Sequence, residues 1–384
     1  MSTNLQEQFE KLYGKAAEKT FFCPGRVNLI GEHIDYNGGQ VMPCAISMGT
    51  TLLISKNDDN VFRFHAADFP ETADIELKDS YTKTGPEWYN YPLGVIHEFL
   101  LKGIQLSGLN MLFSGNLPIG SGLSSSASIE VLTAYALNEI FNGGMDRVEL
   151  ALLGKRVENG FMGLNSGIMD QFAVANGKEA HAILLNCDTL DFEYLPFEIG
   201  DYVLGIINTN KPRKLVESKY NERFAECKDA KAKLQQKLNI NHLCDVSLDE
   251  FNANKDLIGN ATVEKRAYHV ITENQRVKDA RAALTAGDIK KFGELMYASH
   301  DSLQHDYEVS GIELDTIVDF CKTFDGCMGA RMTGAGFGGC AIALIHKDKF
   351  DEFAQKIVPY YEERIGYKPG VFSSVIAEGV RELV

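Results

Sequence analysis

No two cysteines of this chain stand in C-x-x-C spacing: the eight (Cys23, Cys44, Cys187, Cys227, Cys244, Cys321, Cys327 and Cys340) are scattered over 384 residues. That argues against a disulfide framework and a cysteine zinc site, and it suggests reduced thiols in a cytosolic protein. No apolar stretch reaches the ~20 residues that a membrane span needs. The opening MSTNLQEQFEKLYGK lacks the apolar core of a signal peptide, so a cytoplasmic location is expected. Positive charge is also scarce, with 38 Lys and Arg against 53 Asp and Glu for a net charge of −15. A field of that sign argues against bulk binding to nucleic acid or anionic membrane. An anionic nucleotide can still bind through local N–H groups and a metal. Repeats and low-complexity tracts are absent as well.

What is present is a globular composition, 45% hydrophobic and 24% charged, in a chain long enough for two cores. Helical spacing is read over Leu5–Tyr13, Glu87–Gly103, Ser128–Phe141 and Val148–Phe161. Further on it returns over Ser218–Leu238, Glu264–Ala286, Ile289–Asp306 and Phe350–Ile365. Extended runs cover Thr20–Leu29, Met48–Ser55 and Val61–Ala66, then LNMLFSGNLP, HAILLNCD, DFEYLPFE, YVLGIINTN, CAIALI and VFSSVIAEG. Strands interleave with helices but without regular βαβ spacing, which favours an α+β architecture. The expected division is residues 1–195 and 196–384.

Three stretches can carry chemistry. LPIGSGLSSSASIEV (Leu117–Val131) places Gly120 and Gly122 before Ser124, Ser125 and Ser126 at a helix entry. Either the serines cap the helix after a turn, or the free N–H groups and the helix dipole hold an anion. It is not a Walker A loop, since no lysine closes it. MTGAGFGGCAIAL matches G-x-G-x-x-G at Gly334, Gly336 and Gly339. A strand follows those glycines where a dinucleotide fingerprint opens a helix, so a Rossmann site is rejected. The alternatives are a tight turn and a loop packed against substrate or the other glycine loop. VENGFMGLNSGIMDQFA carries Glu158 at a helix end and Asp170 three residues after Gly167. Together these fit phosphoryl transfer, which needs a phosphate cradle, a divalent cation, a cationic partner and a carboxylate that orients the acceptor hydroxyl. Gly120–Ser126 is the cradle and Arg26 the cation. Ser126 and Glu158 are hard oxygen ligands for Mg²⁺, and Asp170 is the base.

In this order the motifs resemble the superfamily of galactokinase, homoserine kinase, mevalonate kinase and phosphomevalonate kinase. GRVNLIGEHIDYNGG (Gly25–Gly39) is similar to the galactokinase signature, which the other members lack. NTNKPRKLVESKYNERFAEC and KRAYHVITENQRV add to the likeness, which spans residues 10 to 380. The resemblance implies two α+β domains, ribosomal-S5-domain-2-like then ferredoxin-like, with the active site in the cleft between them. It implies ATP-dependent phosphorylation of the C1 hydroxyl of D-galactose; a monomer is expected. It makes Arg26 and Asp170 the catalytic pair, and Glu32, His33, Asp35, Gly167 and Tyr220 the sugar contacts. Gly120, Gly122, Ser124, Ser125 and Ser126 hold the phosphates, Trp88 and Tyr91 the base, and Ser126 with Glu158 the Mg²⁺. The residue chemistry agrees: carboxylates such as Glu32 and Asp35 accept from sugar hydroxyls, while His33 and Arg26 donate. Two other readings compete: a non-catalytic galactose sensor on this fold, and a kinase for N-acetylgalactosamine or L-arabinose.

Overall fold

The computed structural model describes residues 2–118, 120–164, 166–211 and 216–383. Ile119 of the serine loop, Asn165 before Gly167 and 212–215 of the NTNKPRKLVESK stretch lie outside them.

A six-stranded sheet runs in the order Arg381–Leu383, Lys19–Asn28, Pro43–Lys56, Leu109–Gly115, Val61–Ala66, Ala73–Glu76. Only the pairing of Val61–Ala66 with Leu109–Gly115 is parallel. PCAISMGTTLLISK, the long second-registered strand, is buried at nearly every position rather than at alternate ones. Helix Ser125–Ile140 lies across it and across Lys19–Asn28, while Phe9 packs with Leu53 and Leu112 in a separate cluster, so apolar side chains on both faces are covered. A small sheet of Gln40–Val41, His181–Asn186 and Phe192–Pro196 flanks this half.

The second large sheet is antiparallel throughout, in the order Cys327–Thr333, Cys340–His346, Tyr202–Asn208, Gly370–Ser374. Numbered along the chain this is 2-3-1-4, with helices after its first and third strands, the ferredoxin-like arrangement. One continuous apolar core runs through both halves, from Phe21 to Tyr361. The chain end then crosses back, and Arg381–Leu383 pairs with Thr20–Phe22 of the first sheet.

Most elements match the sequence expectations within a turn; Val61–Ala66 and Phe350–Ile365 match to the residue. Three differences bear on function. The serine helix begins at Ser125, not Ser128, so Ser125 and Ser126 sit in its first turn. The helix expected to reach Phe161 changes at Val157 to a wider π turn, Val157–Phe161, which carries Glu158. A strand, Cys327–Thr333, stands where only a glycine-rich segment was read.

Candidate active site

The site starts at a β-bulge. Pairing of Lys19–Asn28 with Pro43–Lys56 shifts register between Pro24 and Arg26, pressing the backbone against the loop that enters the serine helix. A Cβ on Gly25 would lie 2.6 Å from the Leu123 carbonyl oxygen, and that carbonyl accepts the Arg26 N–H at 3.2 Å. The bulge turns the Arg26 guanidinium inward, where it is 5% exposed. Nε and Nη2 donate to Oδ1 and Oδ2 of Asp170 at 2.8 and 2.7 Å, and Nη1 donates to the Gly122 carbonyl at 2.7 Å. Asp170 is no helix cap, since that place belongs to Ile168. Its Oδ2 also accepts from the Ser124 hydroxyl at 2.6 Å.

Ser124 is left-handed, with φ 64°, a costly conformation for a residue with a Cβ. Its hydroxyl is spent on Asp170, and no side chain among the described residues caps the Ser125–Ile140 helix. The N–H groups of that first turn therefore stay free for an anion. Serine capping, the plainer sequence reading, is not what the structure contains.

Two residues after Ser124, Ser126 donates to Glu158 Oε1 at 3.0 Å. Ser166 and Gln171 each hold Glu158 Oε2 at 2.7 Å, and the Gln171 amide also reaches Glu130 Oε2 at 3.1 Å. Burial and then the charge of Glu158 push the Glu130 carboxyl well up. The hydroxyl and carboxylate pair fits a hard divalent cation that takes its remaining ligands from phosphate and water. Among the described residues no cluster of three His, Cys, Asp or Glu side chains could hold a metal alone.

Two cavities meet at this helix mouth. One, of about 400 Å³, is lined by Arg26, Glu32, His33, Asp35, Glu158, Gly167, Asp170 and Tyr220. The other, of about 490 Å³, is lined by Trp88, Tyr91, Gly120, Ser125 and Ser126 together with Phe113 and Ile129. The hydrogen bond from Ser126 to Glu158 thus spans the wall between them. The Trp88 indole N–H is already used, donating to the Glu71 carbonyl at 3.0 Å, so its ring face is what it offers.

Within the first cavity Glu32 is buried. Its oxygens accept from the Gly334 N–H at 2.7 Å and the Asn28 amide at 2.9 Å. Burial pushes its carboxyl up, opposed chiefly by Arg331. Asp35 is pushed up to about 7 by burial, then by Glu32, with Asp170 adding to the effect. Gly167 leaves it room, because a Cβ there would lie 3.0 Å from Asp35 Oδ2. Tyr220 stands with its ring 5.6 Å from His33 and 5.5 Å from Tyr36.

His33 is the second left-handed residue, also at φ 64°. Burial and then His269 bring its pKa down to about 3, so the ring is neutral. Nε2 faces the Ala335 carbonyl at 3.2 Å and must carry the proton, leaving Nδ1 to accept from the Tyr36 hydroxyl at 2.9 Å. Tyr307 then donates to Tyr36 at 2.7 Å, and the Cys227 thiol to Tyr307 at 3.1 Å. Both His33 nitrogens are engaged by protein. The ring forms part of the cavity wall, and neither nitrogen is free for a ligand hydroxyl.

Comparison with known proteins agrees along the whole chain. Residues 7–56 match the galactokinase galactose-binding signature, 90–178 the GHMP kinases N terminal domain and 280–362 the GHMP kinases C terminal domain. Galactokinase of Clostridium tetani is 51% identical over 99% of this chain and 97% of its own. The chain belongs to the galactokinase family. Galactokinase of Staphylococcus carnosus is 48% identical, over 99% of both chains. The crystal structure of Lactococcus lactis galactokinase complexed with galactose superposes with a TM-score of 0.94 at 46% identity, covering all of both chains. A mevalonate kinase crystal structure, at 22% identity and a TM-score of 0.68, shares the fold.

All fifteen residues expected at a galactokinase site therefore lie on the two cavities or on the hydrogen bonds joining them. Sequence reasoning missed several groups that hold them, Tyr36, Ser166, Gln171 and Ala335, and had Gly334 only as part of a glycine loop with no assigned partner. That loop turns between two strands, the first of which was not expected, and Gly334 and Ala335 line the first cavity, so both alternatives read from the sequence hold in part. Its Gly334 N–H and Ala335 carbonyl carry Glu32 and His33. Tyr36 and Gln171 stand beside named residues, so adjacency was a signal; nothing local marked Tyr307, 271 residues from Tyr36.

Proposed function

We propose that the chain transfers the γ-phosphoryl group of ATP to the C1 hydroxyl of D-galactose, giving galactose 1-phosphate and ADP. One observation carries this reading. The mouth of the serine helix is the wall between the two cavities, with Ser124 bonded to Asp170 and Ser126 bonded to Glu158.

ATP occupies the cavity of Trp88 and Tyr91, its phosphates on the N–H groups of Gly120–Ser126. Galactose lies in the other cavity, its hydroxyls donating to Glu32 and Asp35. Such a site rejects an epimer because a misplaced hydroxyl leaves a buried carboxylate oxygen unpaired. Asp170 accepts the C1 proton as the sugar oxygen bonds to phosphorus and the bond from phosphorus to the ADP oxygen breaks. A weak base suffices, since the hydroxyl acidifies late in a loose transition state. Arg26 holds Asp170 in place and offsets the developing charge. Ser126 and Glu158 would hold Mg²⁺, which would neutralise charge on the phosphates. Scattered cysteines favour the cytoplasm as the setting, and among the described residues no helix is long and apolar enough to cross a membrane.

The test is ADP release with MgATP and a panel of sugars. Galactose-dependent release is expected. None at saturating galactose supports a non-catalytic sensor instead, and a tenfold higher kcat/KM for N-acetylgalactosamine or L-arabinose reassigns the substrate.

A further inference from the structure

Strand Cys327–Thr333 carries an arginine with no exposed surface, Arg331. Nη1 donates to the Asn28 carbonyl at 3.1 Å and lies 3.5 Å from Glu32 Oε1. Nε and Nη2 have no hydrogen-bond partner among the described residues. A buried guanidinium with donors to spare is expensive, and a folding role alone is better filled by an apolar side chain of similar size. Its charge calls for another explanation.

Two buried carboxylates are close enough to need that charge. Glu273 is already provided for: it accepts from the Gly31 N–H at 2.9 Å, from Ser299 at 2.6 Å and from Arg276 Nε at 2.5 Å. Burial alone would raise its pKa, but Arg276, then His269 and Arg331, bring it to about 2. Glu32 has no such neighbour of its own. Among the influences that oppose its burial, Arg331 is the largest, ahead of Asn28, Gly334 and Arg26. The same strand also grips the backbone beneath Glu32. The Thr333 hydroxyl accepts the Asn28 N–H at 2.9 Å and donates to the Asn28 carbonyl at 3.1 Å. Arg331 does not line the sugar cavity, whereas Glu32 does.

We propose that Arg331 is a positioning residue for sugar recognition, holding Glu32 aimed into the cavity from the second sheet without touching the sugar. The inference rests on the galactose reading above. It makes sugar affinity depend on contact between the two halves of the molecule, since Glu32 belongs to one and Arg331 to the other.

The experiment compares wild type, Arg331→Met, Arg331→Lys, Glu32→Gln and the double variant Glu32→Gln/Arg331→Met. Galactose Kd is read by calorimetry without nucleotide, with kcat and both KM values from ADP release and folding from near-UV circular dichroism. Wild-type galactose binding checks the underlying reading separately: if galactose does not bind, that reading fails, and Arg331 is judged by the same panel with the sugar that does bind. Arg331→Met is expected to raise sugar Kd and KM about ten- to hundredfold with kcat within about twofold, the split that marks lost ground-state binding, and to leave ATP KM within about twofold. Arg331→Lys should recover part of that loss. In the Glu32→Gln background the Met substitution should add less than about twofold, as coupled partners do. A folded Arg331→Met with sugar Kd within twofold of wild type overturns the proposal. So does an equal loss with and without Glu32, or an equal rise in ATP KM. Should Arg331→Met fail to fold, the double variant, which removes both charges, is expected to fold and to match Glu32→Gln. If it stays unfolded, Arg331 serves stability alone and the proposal falls.

Discussion

Arg26 and Asp170, 144 residues apart in the chain, meet as a planar fork on a carboxylate, with N–H···O distances of 2.8 and 2.7 Å. Asp170→Asn keeps the shape but loses the proton acceptor. We expect kcat to fall about 10²–10⁴-fold, the usual worth of general base catalysis, with galactose Kd little changed. Calorimetry and steady-state rates on the same preparation check both halves. Activity near wild type would remove Asp170 from the base role.

Arg26→Lys tests the fork itself. An ammonium cannot reach both Asp170 oxygens and the Gly122 carbonyl at once, so the carboxylate is left free to turn. A fall in kcat of at least about tenfold is expected, with the melting temperature lowered by a few degrees. Retention of most activity would mean that Arg26 only shapes the cavity.

Glu158 and Ser126 should separate metal demand from sugar binding. Glu158→Gln and Ser126→Ala are each expected to raise the Mg²⁺ concentration needed for half-maximal rate by at least about tenfold, the loss that even an outer-shell partner brings. Galactose Kd in the absence of metal should stay at the wild-type value. A Mg²⁺ titration that overlays wild type counts against both as ligands.

How much of this was readable beforehand follows from what is local. Glycines and serines at Gly120–Ser126, and the run from Arg26 to Asp35, are contiguous, and their chemistry can be recognised from neighbours in the chain. The helix start moved to Ser125 because Ser124 turns left-handed to reach Asp170, a partner 46 residues away. Strand Cys327–Thr333 was missed because CMGARMT interrupts its apolar positions with glycine and a buried arginine. Its pairing with Cys340–His346 and the distant Asn28 and Glu32 decide its state. The relay from Cys227 through Tyr307 and Tyr36 to His33 joins three separate segments, so no spacing rule points to it.

Two buried histidines and the half-buried Asp35 respond to acid with opposite signs. His33 and His269 are held at about 3 and about 4, in both cases first by burial. Their folded values lie below the unfolded ~6.5, so below that pH the unfolded chain binds protons that the native state refuses. Their contribution to stability is present above pH 6.5 and is lost as pH falls toward 4 and 3. Asp35 acts with the opposite sign. Its folded value of about 7 exceeds the unfolded 3.8, so its contribution is complete below 3.8 and is lost as pH rises through 7. Glu32 and Glu130, whose carboxyls burial also pushes up, act with the sign of Asp35, so between pH 6.5 and 4.5 it is the change of slope on substitution that isolates each group. Each proton contributes a slope of up to about 1.4 kcal/mol per pH unit. Urea titrations at half-unit steps measure the slope; Asp35→Asn should shift it upward and His269→Asn downward, each by about one proton. Galactose adds a signed check, because its hydroxyls favour the charged Asp35. Binding near pH 6 should release a proton, seen as a buffer-dependent calorimetric heat that Asp35→Asn abolishes. A heat independent of the buffer would show that Asp35 is already ionised before the sugar arrives.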